Sequence, residues 1–300
     1  MRVQGVIVPL VTPLGGQGID KRASEVLVRF LVGAGVNGLF VSGTTGEGPL
    51  LSAEERKHLL AAVRHAAGAD TTVLFGVGAP STAECLELCD LAADGGADGV
   101  VAMPPYFYGV TQAEIVEHLS AIAGHSKLPV VLYDIPQRTG NRMSLDTLAR
   151  LMEHENIVCI KDSSADMGHF QRVLARVRSD VTVLMGDDAL ILPAVAAGGH
   201  GAVSGLANVI PEAVVGLYDS SARGDLSGAQ TLQQKIIKAQ TAIMSEVSII
   251  AALKAVLCER GINVGDPKPP LFGVSAEGRK RLCDAFTHAG FELSSVGDTI

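Results

Sequence analysis

Basic charge is scarce in this chain of 300 residues: 24 Lys and Arg stand against 32 Asp and Glu, for a formal net charge of −8. An acidic chain repels phosphate backbones, and the basic side chains are scattered apart from the short run Arg279-Lys280-Arg281, so no nucleic-acid partner is expected. Long apolar runs are missing too. Every apolar stretch is broken by Gly, Pro or charge well short of the roughly 20 residues a membrane-spanning helix needs. The N-terminal run from Gly5 to Leu14 contains Pro9 and Pro13, follows a single Arg2 and lacks a cleavage-like sequence, which argues against a signal peptide. Cysteine is sparse: Cys85, Cys89, Cys159, Cys258 and Cys283 form no CxxC pair, and their number is odd. They read as small buried hydrophobes in a reducing compartment, so a cytoplasmic location is expected. No GxGxxG turn follows the first strand-like run, where the chain instead reads Thr12-Pro13-Leu14-Gly15-Gly16, and no two histidines have metal-ligand spacing.

The chain does have a repeated alternation. Hydrophobic residues make up 47% and charged residues 19%, enough apolar matter for a large core. Continuous Val/Ile/Leu-rich runs at 6–12, 38–43, 73–77, 99–103, 130–133, 157–160, 181–185 and 202–204 read as strands buried on both faces, the signature of a parallel sheet. Amphipathic stretches lie between them. Ser52-x-x-Glu55, Ser81-x-x-Glu84 and Thr111-x-x-Glu114 look like capping boxes that open helices. Eight strand–helix units predict an α/β fold, a (β/α)₈ TIM barrel over residues 1–222. No strand is expected beyond about residue 226, where helices over 231–259 and 276–289 predict a small C-terminal helical appendage, residues 223–300.

Barrel active sites collect at the C-terminal ends of the strands, so the residues ending each run are the candidates. Lys161 directly follows strand six. A lysine at a barrel mouth is costly unless paired or neutral, and a neutral amine is what attacks a ketone; alternatively it is paired with Glu47, Asp162 or Asp187 for stability alone. Tyr133 ends strand five, where its phenol could both give and take a proton, or simply cap the core. Thr44 and Thr45 sit in a glycine-flanked turn whose backbone N–H groups could hold a carboxylate, or which could be an unliganded β-turn. Arg138 could grip a substrate carboxylate with two prongs, or form a surface salt bridge. Strand seven ends at Gly186-Asp187-Asp188 and strand eight at Ser204-Gly205, which brings Gly186 and Ser204 to the same rim.

Taken together, GTTGE after strand two, YDIPxRT after strand five and IKDSS after strand six resemble the dihydrodipicolinate synthase/N-acetylneuraminate lyase superfamily of class I aldolases. The resemblance spans nearly the whole chain, from Thr12-Pro13 through Gly199-His200-Gly201 to the C-terminal helices. It implies a Schiff-base Lys161, a proton shuttle at Tyr133 with Thr44 as its relay partner, pyruvate-carboxylate contacts from Thr44 and Thr45, and a second-substrate contact from Arg138. It implies small-molecule substrates, pyruvate and an aldehyde. It also implies no metal or organic cofactor beyond the covalent imine, and a homotetramer built as a dimer of dimers. Synthases of this family usually carry two adjacent tyrosines after strand four, the second reaching into the neighbouring subunit's relay. Here the pair is Tyr106-Phe107, and phenylalanine passes no proton, so the relay is broken or Tyr106 or Tyr108 substitutes. Together with Asp162-Ser163-Ser164 and Ser204-Gly205-Leu206, this favours an aldolase for 2-keto-3-deoxy sugar acids or 4-hydroxy-2-oxoglutarate. Arg138 favours instead a synthase condensing pyruvate with aspartate semialdehyde. Gly48, Ala53 and Pro80 stand where regulated synthases place polar ligands, which argues against lysine feedback. Two readings from other classes remain: a metal-dependent aldolase with Mg²⁺ on Glu47, Asp187 and Asp188, and a non-catalytic keto-acid-binding protein.

Overall fold

Each predicted apolar run overlaps a strand whose side chains alternate between two apolar environments, with ends that differ by up to three residues, and the strands close into one sheet. In the computed structural model, which describes residues 1–16 and 18–293, the strands are β1 Gly5–Pro9, β2 Gly38–Val41, β3 Thr72–Gly76, β4 Gly99–Ala102, β5 Val130–Asp134, β6 Ile157–Asp162, β7 Thr182–Met185 and β8 Gly201–Val203. All neighbours pair in parallel, and β8 returns to β1 to close the barrel, with Val6 opposite Ala202. Ile7, Phe40, Leu74, Val101, Val131, Cys159, Leu184 and Val203 fill the interior as one apolar cluster. Their neighbours in sequence, such as Val6, Leu39, Val73, Val100, Leu132 and Ile160, face outward into a second cluster beneath the helices. A period-2 strand buried on both faces has no polar positions to alternate, which is why the sequence runs are continuous. A two-residue-per-strand antiparallel hairpin, Leu14–Gly15 with Gly18–Ile19, follows β1.

The helices are α1 Lys21–Gly33, α2 Ala53–Ala67, α3 Thr82–Asp94, α4 Gln112–His125, α5 Leu145–Leu151, α6 Met167–Arg176, α7 Ile191–Ala196, α8 Pro211–Ala222, α9 Leu226–Met244, α10 Ile249–Glu259 and α11 Ala276–His288. Two of the three predicted capping boxes are complete, at Ser52/Glu55 and Thr111/Glu114. At Ser81 the hydroxyl accepts from the Glu84 N–H, but the reciprocal carboxylate contact is not made. The first eight helices end at Ala222, and after three connecting residues α9 begins at Leu226; positions 294–300 of the C-terminal region lie outside the described residues.

The predicted single helix over 231–259 is two helices. α9 and α10 meet at 113° across the break at residues 245–248. The Ser248 hydroxyl accepts the Ala251 N–H and starts α10 afresh, while the Ser245 hydroxyl turns back to the Ala242 carbonyl. Serines that bond the backbone locally in this way compete with helix continuation. No single helix is long and apolar enough to cross a membrane among the described residues. Cys85 and Cys89 lie buried on α3 and Cys159 lies buried inside the barrel. Burial pushes the Cys85 thiol up to about 11 and those of Cys89 and Cys159 up to about 12, so all three are poor nucleophiles.

Candidate active site

β5 and β6 run in register, so Tyr133 pairs with Lys161 and Asp134 with Asp162. Alternation then sends Tyr133 and Lys161 inward and the two aspartates outward. Lys161 is 4% exposed. Its Nζ lies 3.7 Å from the centroid of the Tyr133 ring and 5.2 Å from that of Phe40. No carboxylate among the described residues pairs with it. Glu47, one of its candidate partners, is instead ion-paired at 2.6 Å with Lys254 of α10, and both side chains are buried. The reading of Lys161 as a structural ion-pair lysine therefore fails on geometry. Lys161 opens into a cavity of about 350 Å³ whose lining includes Tyr133, Thr44, Thr45, Arg138 and Gly186.

The turn carrying Thr44 and Thr45 is tightly built. Ser42 and Glu47 hold left-handed φ values of 56° and 59° without being glycine, each costing about 1–2 kcal/mol. A Cβ on Gly48 would sit 2.1 Å from the Ser42 carbonyl oxygen, so only glycine fits there. The turn is held from below by the Thr12 hydroxyl, which donates to the Gly46 carbonyl at 2.6 Å, and by Gly48 N–H to the Gly43 carbonyl at 3.0 Å. The Thr44 and Thr45 N–H groups donate to nothing among the described residues, and both threonines face the cavity. Two adjacent free N–H donors in a glycine-flanked turn are suited to a carboxylate. The Thr44 hydroxyl makes no hydrogen bond to Tyr133 within the chain, so the two line one cavity without a closed relay.

Arg138 stands on the one-turn helix Pro136–Thr139, exposed and without a carboxylate partner among the described residues. It borders both the inner cavity and a wider outer chamber of about 810 Å³ rimmed by Met244, Val247, Ile249 and Phe272. Gly186 sits against Ser163: a Cβ there would lie 1.9 Å from the Ser163 hydroxyl oxygen.

Two predicted contacts are placed elsewhere. Ser204 is fully buried below the rim and does not line the cavity; its hydroxyl donates to Asp188 and accepts the Ala207 N–H at 3.0 Å. Its role in this geometry is to anchor Asp188, whose carboxyl burial pushes up to about 6 despite that hydrogen bond. Tyr106 also lies away from the cavity, half-buried near Arg56, with burial raising its phenol. Phe107 is 84% exposed with φ of 82°, and Tyr108 packs edge-on against it at 4.9 Å, so neither Tyr106 nor Tyr108 stands in for a relay tyrosine within one chain. The acidic trio considered for Mg²⁺ does not assemble either: Glu47 is held by Lys254, Asp187 accepts from Gln240 at 2.8 Å, and Asp188 is bonded to Ser204.

The C-terminal wall of the cavity has no counterpart among the residues predicted from the sequence. Gln240, Ile243 and Met244 of α9 and Ile249 and Leu253 of α10 close one side. Lys254 and the backbone N–H of Lys268 both reach Glu47, which ties the C-terminal region to the Thr44 turn. A lysine inside the apolar helix IIAALKAVL was the available signal, because a buried lysine demands a partner.

Comparison with known proteins agrees with this geometry. The model of the dihydrodipicolinate synthetase family matches residues 2–289. An uncharacterised DapA-like lyase of Halobacterium salinarum is 37% identical over 93% of this chain and 92% of its own. A 4-hydroxy-tetrahydrodipicolinate synthase of Acidothermus cellulolyticus is 37% identical over 97% of this chain and 94% of its own. Among solved structures, YagE of E. coli K12, a prophage protein of the dihydrodipicolinic acid synthase family in complex with pyruvate, superposes with a TM-score of 0.91 at 27% identity, covering 96% of this chain and 98% of its own. With its closed eight-stranded barrel and a buried lysine at the mouth, the chain belongs to the dihydrodipicolinate synthetase family and is a lyase.

Proposed function

We propose that the protein is a class I aldolase that forms a Schiff base between Lys161 and pyruvate or a related 2-keto acid, and that it makes or cleaves an aldol of the 2-keto-3-deoxy sugar acid or 4-hydroxy-2-oxoglutarate type. The observation that carries this reading is a buried lysine with no carboxylate partner among the described residues, opening into a cavity beside a tyrosine and two backbone N–H donors that the described residues leave free. The keto acid's carboxylate sits on the Thr44 and Thr45 N–H groups. Lys161 Nζ attacks the C2 carbonyl carbon, and the carbinolamine loses water while the Tyr133 hydroxyl moves the protons. The protonated imine withdraws electrons from C3, which loses a proton to give an enamine. The enamine adds to the aldehyde carbon, and water then releases the product and regenerates the amine. Cleavage is the reverse. The reaction draws on no metal or organic cofactor, and the active assembly is a homotetramer in the cytoplasm.

A second reading, a 4-hydroxy-tetrahydrodipicolinate synthase using aspartate semialdehyde, is favoured by the Arg138 guanidinium at the cavity rim, which no carboxylate among the described residues pairs, and by the name of the Acidothermus relative. Phe107 speaks against it, since it carries no hydroxyl for a relay.

The deciding experiment is borohydride reduction in the presence of pyruvate, followed by peptide mass spectrometry. The expected result is a reduced pyruvyl adduct on Lys161. Absence of an adduct under conditions that label another Schiff-base aldolase would overturn the proposal in favour of a binding protein. Turnover compared between aspartate semialdehyde and sugar-derived aldehydes separates the two substrate readings.

A further inference from the structure

Outside the barrel wall, on the face of β5 and β6 opposite the cavity, three polar side chains converge, and the atoms that meet make no hydrogen bond among the described residues. Asp134 ends β5, Asp162 ends β6, and His169 lies in the first turn of α6, which packs over them. They are 1%, 1% and 6% exposed. Each carboxylate is fixed through one oxygen: Asp134 Oδ1 accepts the Met143 N–H at 3.2 Å, and Asp162 Oδ1 accepts the Ser164 N–H at 2.8 Å. The other oxygen of each, Oδ2, and the His169 Nε2 are buried without a hydrogen-bond partner among the described residues. One ligand atom from each of the three residues lies within 4.8 Å of the other two.

We propose that Asp134, Asp162 and His169 form a structural site for a divalent transition-metal ion, of which Zn²⁺ is the type. Neither aspartate is paired with a lysine or arginine among the described residues, and the one cationic group beside them, His169 at 3.6 Å from Asp134 Oδ2, balances at most one of two buried carboxylates, which leaves the other costly. One divalent ion neutralises both. The separation also fits: His169 Nε2 and Asp134 Oδ2 are 3.6 Å apart, too long for a hydrogen bond. Donors bound about 2.0–2.2 Å from one tetrahedral ion stand ~3.4 Å from each other. A mixed oxygen and imidazole set suits Zn²⁺ or its neighbours better than Mg²⁺, which prefers six oxygens. The site faces away from Lys161 and Tyr133, so its work is structural. It would clamp to α6 the ends of the two strands whose preceding residues are Tyr133 and Lys161.

The test uses the full chain, stripped with a chelator and incubated with Zn²⁺, Co²⁺ or Mg²⁺ chloride alone. After gel filtration, one equivalent of Zn²⁺ or Co²⁺ per chain is expected, with no Mg²⁺ retained. Co²⁺ should give visible ligand-field bands, and Zn X-ray absorption should fit nitrogen and oxygen donors without sulfur. Asp162→Asn and His169→Gln should weaken Zn²⁺ binding at least tenfold and abolish the rise in Tm that Zn²⁺ gives the parent. Less than a tenth of an equivalent of metal on the parent would overturn the proposal and leave a cluster neutralised by protons. Thiolate donors in the Zn spectrum, or unchanged Zn²⁺ affinity in both variants, would also overturn it. The parent's spectra decide the matter even if a variant fails to fold. Borohydride trapping is read separately on stripped protein, so loss of this site and loss of the imine chemistry are distinguishable.

Discussion

Lys161 and Tyr133 are cross-strand partners, and the lysine nitrogen stands 3.7 Å from the centre of the tyrosine ring. A parallel pair at the ends of two adjacent strands brings the two side chains to the same depth and the same face. The ring is also part of the barrel's inner core, so its position is fixed by packing and its hydroxyl is the only group that a Tyr133→Phe change removes.

Tyr133→Phe should therefore fold normally and still place the ring under Lys161. If the hydroxyl moves the protons of imine formation and C–C bond making, turnover should fall by about 10²–10⁴. Steady-state rates on the preferred aldol, together with the speed of borohydride trapping, give the answer. Unchanged turnover would remove Tyr133 from the mechanism.

Arg138 should act on the aldehyde partner and not on the keto acid. A charge-assisted contact to a substrate carboxylate is worth about 1.5–3 kcal/mol, so Arg138→Ala should lower kcat/KM for a carboxylated aldehyde about 10- to 100-fold. Trapping with pyruvate alone should proceed as in the parent. Lysine at this position should rescue little, since it cannot present two parallel donors. An equal loss in both assays would mean that Arg138 supports the site as a whole.

Lys254→Met should be among the most damaging changes far from the chemistry. It leaves Glu47 buried and unpaired, at a cost of about 3–5 kcal/mol measured by urea unfolding. Because Glu47 belongs to the Thr44 turn, KM for the keto acid should rise as well. The double change Lys254→Met with Glu47→Gln should recover part of both losses, and failure to recover either would show that the pair does not hold the turn.

Asp188 should give stability a pH slope of its own. Burial holds its carboxyl at about 6, above the ordinary 3.8, so the folded chain keeps this proton more tightly than the unfolded one. The group's favourable contribution is whole below about pH 4 and is lost as pH rises through about 6, a change on the order of 3 kcal/mol. Asp188→Asn removes the titration and can still bond Ser204 and the Leu206 N–H. The difference in urea midpoint between parent and variant should shift in the variant's favour between about pH 4 and about pH 7. Parallel curves would contradict the buried, protonated group.

The residues of the barrel and most of the cavity were legible in the sequence because both follow from short-range rules. Runs buried on both faces give parallel strands, and the residue that ends such a strand must stand at the rim. Lys161, Tyr133, Thr44, Thr45, Arg138 and Gly186 all stand at or just beyond such strand ends, and all border one cavity. Ser204 is the exception: it follows β8, drops below the rim and bonds a neighbour, Asp188. α9 and α10 look like one helix in the sequence, because apolar periodicity persists across a break made by local serine hydrogen bonds.

What the sequence by itself determined is the set of elements and the order in which chemically capable residues end them, since strand and helix periods are properties of neighbours along the chain. What only the tertiary structure decided is partnership. Glu47 pairs with Lys254 and not with Lys161, and Asp134, Asp162 and His169 meet behind the sheet. The reason is physical: a buried charge is stabilised by whatever lies within a few ångströms, and the 206 positions between 47 and 254 carry no record of which lysine that is.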